Sequence, residues 1–334
     1  MASIRASTKG QYESGWKKFQ QFVSSTDVTE ITPSVPLDFA AALFHSEPFP
    51  CPSTVANAMA AIKDPLWFGF GVVADARAWK MFQQAFFLQR PGHVRSPALW
   101  SLPKVLRLLE SPCFTASPTP LDVFRKALFL VALASGLWLS QLAAMVRGPA
   151  FLRFGPGDAY VSLAPYPRFL AKNERRRHRL SPVTVHAWSR GSRSHPLCPV
   201  AALRAYVRVS PGDALRLWVN PVSARVLRAK GLASVLTKVI VEADPGARPR
   251  AHQIRSYSSS LAFFRTFDLD SVAAAGQWAS PSVFVSRYLN PLLSDVPCVV
   301  MGGFPQPRQA DGSVGGEGPP RARGSRGGSS PAVE

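Results

Sequence analysis

Large apolar side chains recur at helical spacing along the N-terminal part of the chain. Tyr12, Trp16, Phe19 and Val23 step by threes and fours, which predicts an amphipathic helix from Ser7 to Ser25. Ser7 or Thr8 can cap its start, and Lys9, Lys17 and Lys18 lie off the apolar stripe. Leu37, Ala40 and Phe44 predict a second helix over Pro36 to His45; Val55, Met59 and Ile62 predict a third over Thr54 to Lys63. Trp79, Phe82 and Phe86 predict a fourth over Asp75 to Gln89, with Pro, Gly and acidic residues breaking the chain between them. The pattern is that of a small all-α domain over residues 1–94. The stretch from Arg90 to Ala98, RPGHVRSPA, reads as a short basic linker.

A second pattern fills residues 95–300. Leu102, Val105, Leu106 and Leu109 predict a helix over Ser101 to Glu110, and a Ser/Thr/Pro-rich loop follows from Ser111 to Pro120. Leu121 to Ser135 is almost continuously apolar, so this helix is expected to be buried all round. Phe151 to Ala164 alternates around Gly155-Pro156-Gly157-Asp158 and reads as a β-hairpin, with Val183 to Trp188 as a further strand. Pro199 opens a helix that buries Val200, Leu203 and Tyr206 or Val207. Leu215 to Asn220 reads as a short strand or turn, and Leu232 to Ala243 as a helix. Leu261, Phe264, Phe267 and Val272 predict two helices broken near Phe267–Asp270, and a second break falls at Ala279–Pro281. The fold class is therefore mainly α with a small antiparallel β-sheet. From residue 301 the chain is rich in Gly, Pro, Ser and Arg, which predicts a disordered tail over 301–334.

Charge narrows the partners. The chain has 334 residues, 46% hydrophobic content and a formal net charge of +19. A polyanion is the expected partner, with double-stranded DNA ahead of a membrane surface; the bland reading is a protein that is merely basic. The longest apolar run, Ala127 to Ala134, is far too short to span a bilayer, and no signal-peptide core opens the chain. Location in the nucleus follows if the partner is DNA. Cys51, Cys113, Cys198 and Cys298 are scattered without a C-x-x-C, so no metal site is readable and reduced, mostly buried thiols are expected.

The candidate chemistry is concentrated between Ala251 and Leu289. His252 and Arg255 stand one turn apart at the start of a helix; Gly276 and Trp278 follow, then Tyr288. A guanidinium pairs bidentately with a phosphodiester's oxygens, and a histidine and an indole N–H add donors. A tyrosine hydroxyl can attack phosphorus and form a covalent phosphotyrosine without a metal. Structural readings stand beside each role: a core aromatic for Tyr288, packing for Trp278, a helix-start histidine for His252.

The ordered set His-x-x-Arg, Trp, Tyr resembles the C-terminal half of the tyrosine recombinase (phage integrase) family. The runs W-x-S-P-x-x-F-x-x-x-Y-L, F-L-A-K-N and C-P-V-x-A-L-x-x-Y are most similar to recombinases of DIRS-like retrotransposons, and T-x-x-x-Y-x-x-x-W-x-x-F near the N-terminus resembles the family's SAM-like core-binding domain. The resemblance implies that domain over 1–94 and a recombinase catalytic domain over 95–300. Tyr288 would be the nucleophile, Arg255, His252 and Trp278 would stabilise the pentacovalent phosphorus, and Lys172 would protonate the leaving 5′-hydroxyl. Lys17, Lys18, Arg90, Arg95, Arg175, Arg176, Arg177, Arg179 and Arg250 are the candidate DNA contacts, with a solvated basic loop as the alternative for the run KNERRRHR. No cofactor is implied, and several protomers would assemble on DNA.

One position departs from the family. Where it reads T/S-G-x-R-x-S-E-L, this chain reads Ser135-Gly136-Leu137-Trp138-Leu139-Ser140-Gln141-Leu142, so Trp138 replaces the first catalytic arginine. Losing one preorganised charged donor costs roughly two to three powers of ten in rate. Two readings follow from the resemblance: a mobile-element recombinase that cuts and rejoins strands, or an impaired relic that acts only as a DNA-binding protein. A third class, a basic helical scaffold for RNA or protein, is the reading that wins if Tyr288, Arg255 and His252 lie far apart.

Overall fold

The computed structural model describes residues 6–91, 100–171, 182–190, 193–211, 215–278 and 280–290. The chain divides into two compact units, Met1–Arg95 and Ser96–Glu334.

The first unit contains α1 (Ala6–Ser25), α2 (Val35–His45), α3 (Pro52–Phe70) and α4 (Ala76–Gln89). The stripes read from the sequence meet in one core: Phe19, Phe39, Phe44, Val55, Met59, Ile62 and Phe86 are buried. Phe44 and Phe86 stack with centroids 4.1 Å apart. The Asp75 carboxylate caps α4 by accepting the Ala78 N–H at 2.6 Å. α3 does not stop at Lys63 as expected; it continues through Pro65 to Phe70. Proline forfeits one backbone bond, but the next residue, Leu66, is 2% exposed in the core, and that burial holds the extra turn. The same turn leaves Trp67, Phe68 and Phe70 exposed.

The second unit contains α5 (Leu102–Glu110), α6 (Pro112–Thr115), α7 (Pro120–Ser135), α8 (Leu139–Ala144), β1 (Leu152–Phe154), β2 (Tyr160–Leu163), β3 (Val183–His186), β4 (Ser189–Arg190), β5 (Arg193–Ser194), α9 (Pro199–Val209), α10 (Ala229–Ala243), α11 (Gln253–Thr266), α12 (Leu269–Ala275) and α13 (Pro281–Arg287). α6 lies in the stretch read as a loop. α7 is the central element. A reciprocal Thr119–Asp122 capping box starts it, and Phe124 and Lys126 to Ala132 are all buried against α9, α10, α11 and β3. β1, β2 and β3 form an antiparallel sheet in that order, with Val161 opposite Phe154 and Val185. Val161, Leu163 and Val185 face the core. The strand read over Val183 to Trp188 ends at His186, and the small β4–β5 hairpin follows. Leu215 to Asn220 forms bridges: Val146 pairs with Arg216, and Val219 with Val226. α11 and α12 break at Phe267, whose φ of 53° closes α11.

Among the described residues no helix is long and apolar enough to cross a membrane, and no cluster of His, Cys, Asp or Glu could hold a metal ion. The expectation of mostly buried thiols is corrected: Cys51 and Cys113 are exposed and only Cys198 is buried. Cys51 and Cys113 sit at or beside the starts of the short-looped helices α3 and α6, where the chain turns at the surface. Cys298 lies outside the described residues.

Candidate active site

The site is assembled around Arg255, on the first turn of α11. Its side chain is 3% exposed. Burying a guanidinium costs several kcal/mol unless its donors find acceptors. Here two helix C-termini supply them. The guanidinium donates to the carbonyl of Gly136, the residue that ends α7, and to that of Gly276, which ends α12. The negative ends of two helix dipoles therefore face the cation. Both glycines are required. Gly136 has φ 57°, a left-handed conformation, and a Cβ on Gly276 would lie 1.8 Å from the Trp278 ring.

Three aromatic rings complete the enclosure. The Arg255 Cζ lies 4.0 Å from the centroid of Trp278, 4.9 Å from Trp138 and 5.5 Å from Tyr288. Burial pushes the Arg255 pKa down to about 10, partly opposed by the nearby Tyr288, so the side chain stays cationic at neutral pH. Two donors in this cluster have no acceptor among the described residues: Arg255 Nε and Trp278 Nε1.

Tyr288 follows the last turn of α13 and is 9% exposed. Its ring meets Trp138 edge-on at 5.6 Å and Trp278 at 5.4 Å. Its backbone is pinned to α11: the Tyr288 carbonyl accepts from the Ser256 and Ser260 hydroxyls, and Ser260 Oγ accepts the Asn290 N–H at 2.8 Å. His252 sits at the N-cap of α11 with an exposed side chain. A cavity of about 230 Å³ is lined by Trp138, His252, Arg255 and Tyr288 together with Leu137, Leu139, Ser140 and Leu142.

The four residues read from the C-terminal stretch thus come together, and Trp138 stands among them. Lys172 lies outside the described residues, as do Arg95, Arg175, Arg176, Arg177 and Arg179. Lys17, Lys18 and Arg250 are exposed. Arg90 is engaged within its own unit: its guanidinium covers Phe44 at 3.8 Å and donates to the carbonyls of Phe44 at 2.6 Å and Pro50 at 3.3 Å. Arg147 is likewise committed elsewhere, to the Pro211 and Leu217 carbonyls and the Ser210 hydroxyl, and it does not line the cavity.

Three positioning residues were not read from the sequence, and a fourth, Gln141, stood there only at the motif's Glu position. Gln141 Oε1 accepts the Trp138 N–H at 2.9 Å, and its Nε2 donates to Gln277 Oε1 at 2.9 Å, joining the start of α8 to the turn that carries Trp278. Ser256 and Ser260 fix Tyr288. The signal for the serines was present: the run Ser256-Tyr257-Ser258-Ser259-Ser260 is poor helix-forming sequence inside a helix. Gln277 carried no such mark.

No protein-family profile matches the sequence, and no curated protein matches it. Solved structures do. The chain is similar to the XerH site-specific recombinase bound to palindromic difH substrate, with TM-score 0.60 and 12% identity over 87% of this chain and 79% of that one. It is also similar to the Tn1549 transposon integrase in complex with transposon right end DNA, with TM-score 0.56 and 12% identity over 86% and 90% of the two chains. A lambda integrase dimer (residues 75–356) bound to a COC′ core site gives TM-score 0.54 and 12% identity over 86% and 89%. The chain has the tyrosine recombinase fold.

Proposed function

We propose that this chain is a DNA-binding recombinase-like protein of a mobile element, closest in kind to DIRS-like retrotransposon recombinases, acting through a phosphotyrosine intermediate. The observation that carries the reading is the pair of buried donors without acceptors, Arg255 Nε and Trp278 Nε1, beside Tyr288. A buried donor left unpaired costs about 1–3 kcal/mol, and an oxygen of a bound anion is an acceptor suited to either. In the proposed step the Tyr288 oxygen attacks phosphorus and gives up its proton to solvent water at the cavity mouth. The bond to the 5′-oxygen breaks, and that oxygen takes a proton from Lys172. Arg255, Trp278 and His252 hold the non-bridging oxygens. Rejoining reverses the step. The neighbours' own assemblies, a lambda integrase dimer on a core site and a tetramer on a Holliday junction, support action as an oligomer on DNA. Residues 1–94 would serve as the core-binding domain and 95–300 as the catalytic domain. Exposed Lys17, Lys18 and Arg250, with the basic run around Arg175 to Arg179, would contact phosphates. The nucleus is the compartment such a partner implies.

A second reading is favoured by Trp138: a relic that binds DNA and cleaves it poorly. Among the described residues lining the cavity, Arg255 is the only arginine or lysine. One missing guanidinium slows cleavage by roughly two to three powers of ten. Nicked duplexes that trap a covalent adduct separate the two. Adduct from the unaltered chain supports the working enzyme. Adduct only from Trp138→Arg, lost again in Trp138→Arg/Tyr288→Phe, supports the relic. No adduct from any version removes the phosphotyrosine reading.

A further inference from the structure

Resting on the reading of this chain as a DNA-binding protein, we infer that the cavity beside Trp138 receives a single unpaired nucleobase, so the protein prefers DNA with an extrahelical nucleotide over an intact duplex. The cavity's size fits. A cavity of about 150 Å³ lined by apolar side chains accepts benzene, and this one holds about 230 Å³. Its walls fit as well. Leu137, Leu139, Leu142 and Ile254 line it, the half-buried Trp138 indole offers a ring to stack on, and the exposed Ser140 offers a hydroxyl for a base's edge. This is how an extruded base is held: stacked against aromatic and apolar groups and read by hydrogen bonds at its edge. A phosphate alone has no use for the leucine wall, and an apolar ligand has none for the buried Arg255 cation at its side. A nucleotide uses both.

Energetics decide which DNA. Stacking one base on an aromatic side chain changes affinity by roughly 5- to 150-fold. Extruding a base from a Watson–Crick pair costs about as much or more, whereas a bulged or mismatched base has already lost most of its stacking and pairing. The cavity therefore gives little with paired DNA and the full stacking gain with an unpaired nucleotide. Trp138, in place of a charged group, is the residue that makes the difference.

The full chain is titrated with two duplexes of one sequence, one fully paired and one carrying a single bulged 5-iodouracil, and the bulged complex is irradiated and its cross-link mapped by mass spectrometry. The expected result is about tenfold tighter binding of the bulged duplex and a cross-link in the peptide containing Trp138. Trp138→Phe should keep most of that ratio, and Trp138→Ala should bring it to about one, with circular dichroism checking that each variant is folded. Equal affinities in the unaltered chain, or a cross-link mapped away from Leu137–Leu142, overturn the inference while leaving DNA binding standing. Failure to bind either duplex overturns the DNA-binding reading itself, and this inference with it.

Discussion

Trp138 meets Tyr288 edge to face, with ring centroids 5.6 Å apart and planes at 84°. The contact joins residues 150 positions apart in the second unit, and Arg255 lies against both rings. Beside this neutral indole, two helix-end carbonyls take the terminal guanidinium nitrogens of Arg255 and three rings surround it, while its Nε has no acceptor among the described residues.

Replacing Trp138 by arginine should reverse that balance. Two guanidinium groups about 5 Å apart repel by roughly 1–3 kcal/mol at the intermediate dielectric of a half-exposed site, after solvent screening. Trp138→Arg should lower Tm by about 2–10 °C, and millimolar sulfate should restore most of it. Calorimetry with and without sulfate checks this. An unchanged Tm without sulfate would mean that the new side chain turns out into solvent.

The serines of α11 should govern how firmly Tyr288 is held. Each removed hydroxyl loses about 1 kcal/mol of hydrogen bonding. In Ser256→Ala/Ser260→Ala, amide hydrogen exchange at Leu289 and Asn290 should accelerate at least tenfold, with α7 unaffected. Uniform acceleration through the second unit would instead mark global destabilisation.

Basic residues should divide by role. Arg90→Ala removes two hydrogen bonds and the cover over the Phe44–Phe86 stack, so it should destabilise the first unit by about 2–3 kcal/mol. It should leave the salt dependence of DNA binding unchanged. Lys17→Ala and Lys18→Ala, both exposed, should do the opposite, each lowering the salt slope by about 1 with little effect on Tm. Affinities across a salt series, beside thermal melts, distinguish the two classes.

Acid should weaken one specific tie. The Asp244 carboxylate accepts from the Lys104 ammonium at 2.9 Å and from the Ser101 N–H at 3.1 Å, and these bonds hold its pKa below the usual carboxylate value. A depressed carboxylate pKa adds stability that is fully present above the unfolded value of about 3.9 and is lost as pH falls through the folded value. The Tm difference between the unaltered chain and Asp244→Asn should therefore be constant at pH 5 and above and shrink below pH 4. A difference that persists undiminished at pH 2.5 would assign the effect to something other than ionisation.

Amphipathic spacing made most helices legible, because each stripe such as Tyr12-Trp16-Phe19-Val23 is local in sequence. The site was legible for another reason: His252, Arg255, Trp278 and Tyr288 stand in an ordered pattern of residue types suited to one chemistry. Features set by distant partners were hidden. Whether α3 passes Pro65 depends on the pocket that receives Leu66. Whether Arg90 contacts solvent or Phe44 depends on how α2 and α4 pack. Gln277 is an unremarkable polar residue until Gln141 is brought against it.

Arg255 has no carboxylate partner among the described residues; its charge is met only by dipoles and rings. Dipoles steady a cation without cancelling it, so the cavity keeps a full unit of uncompensated charge. Around it the field persists over about a Debye length, ~8 Å at physiological salt. Whatever approaches is sorted first by the sign of its charge, and only afterwards by its shape.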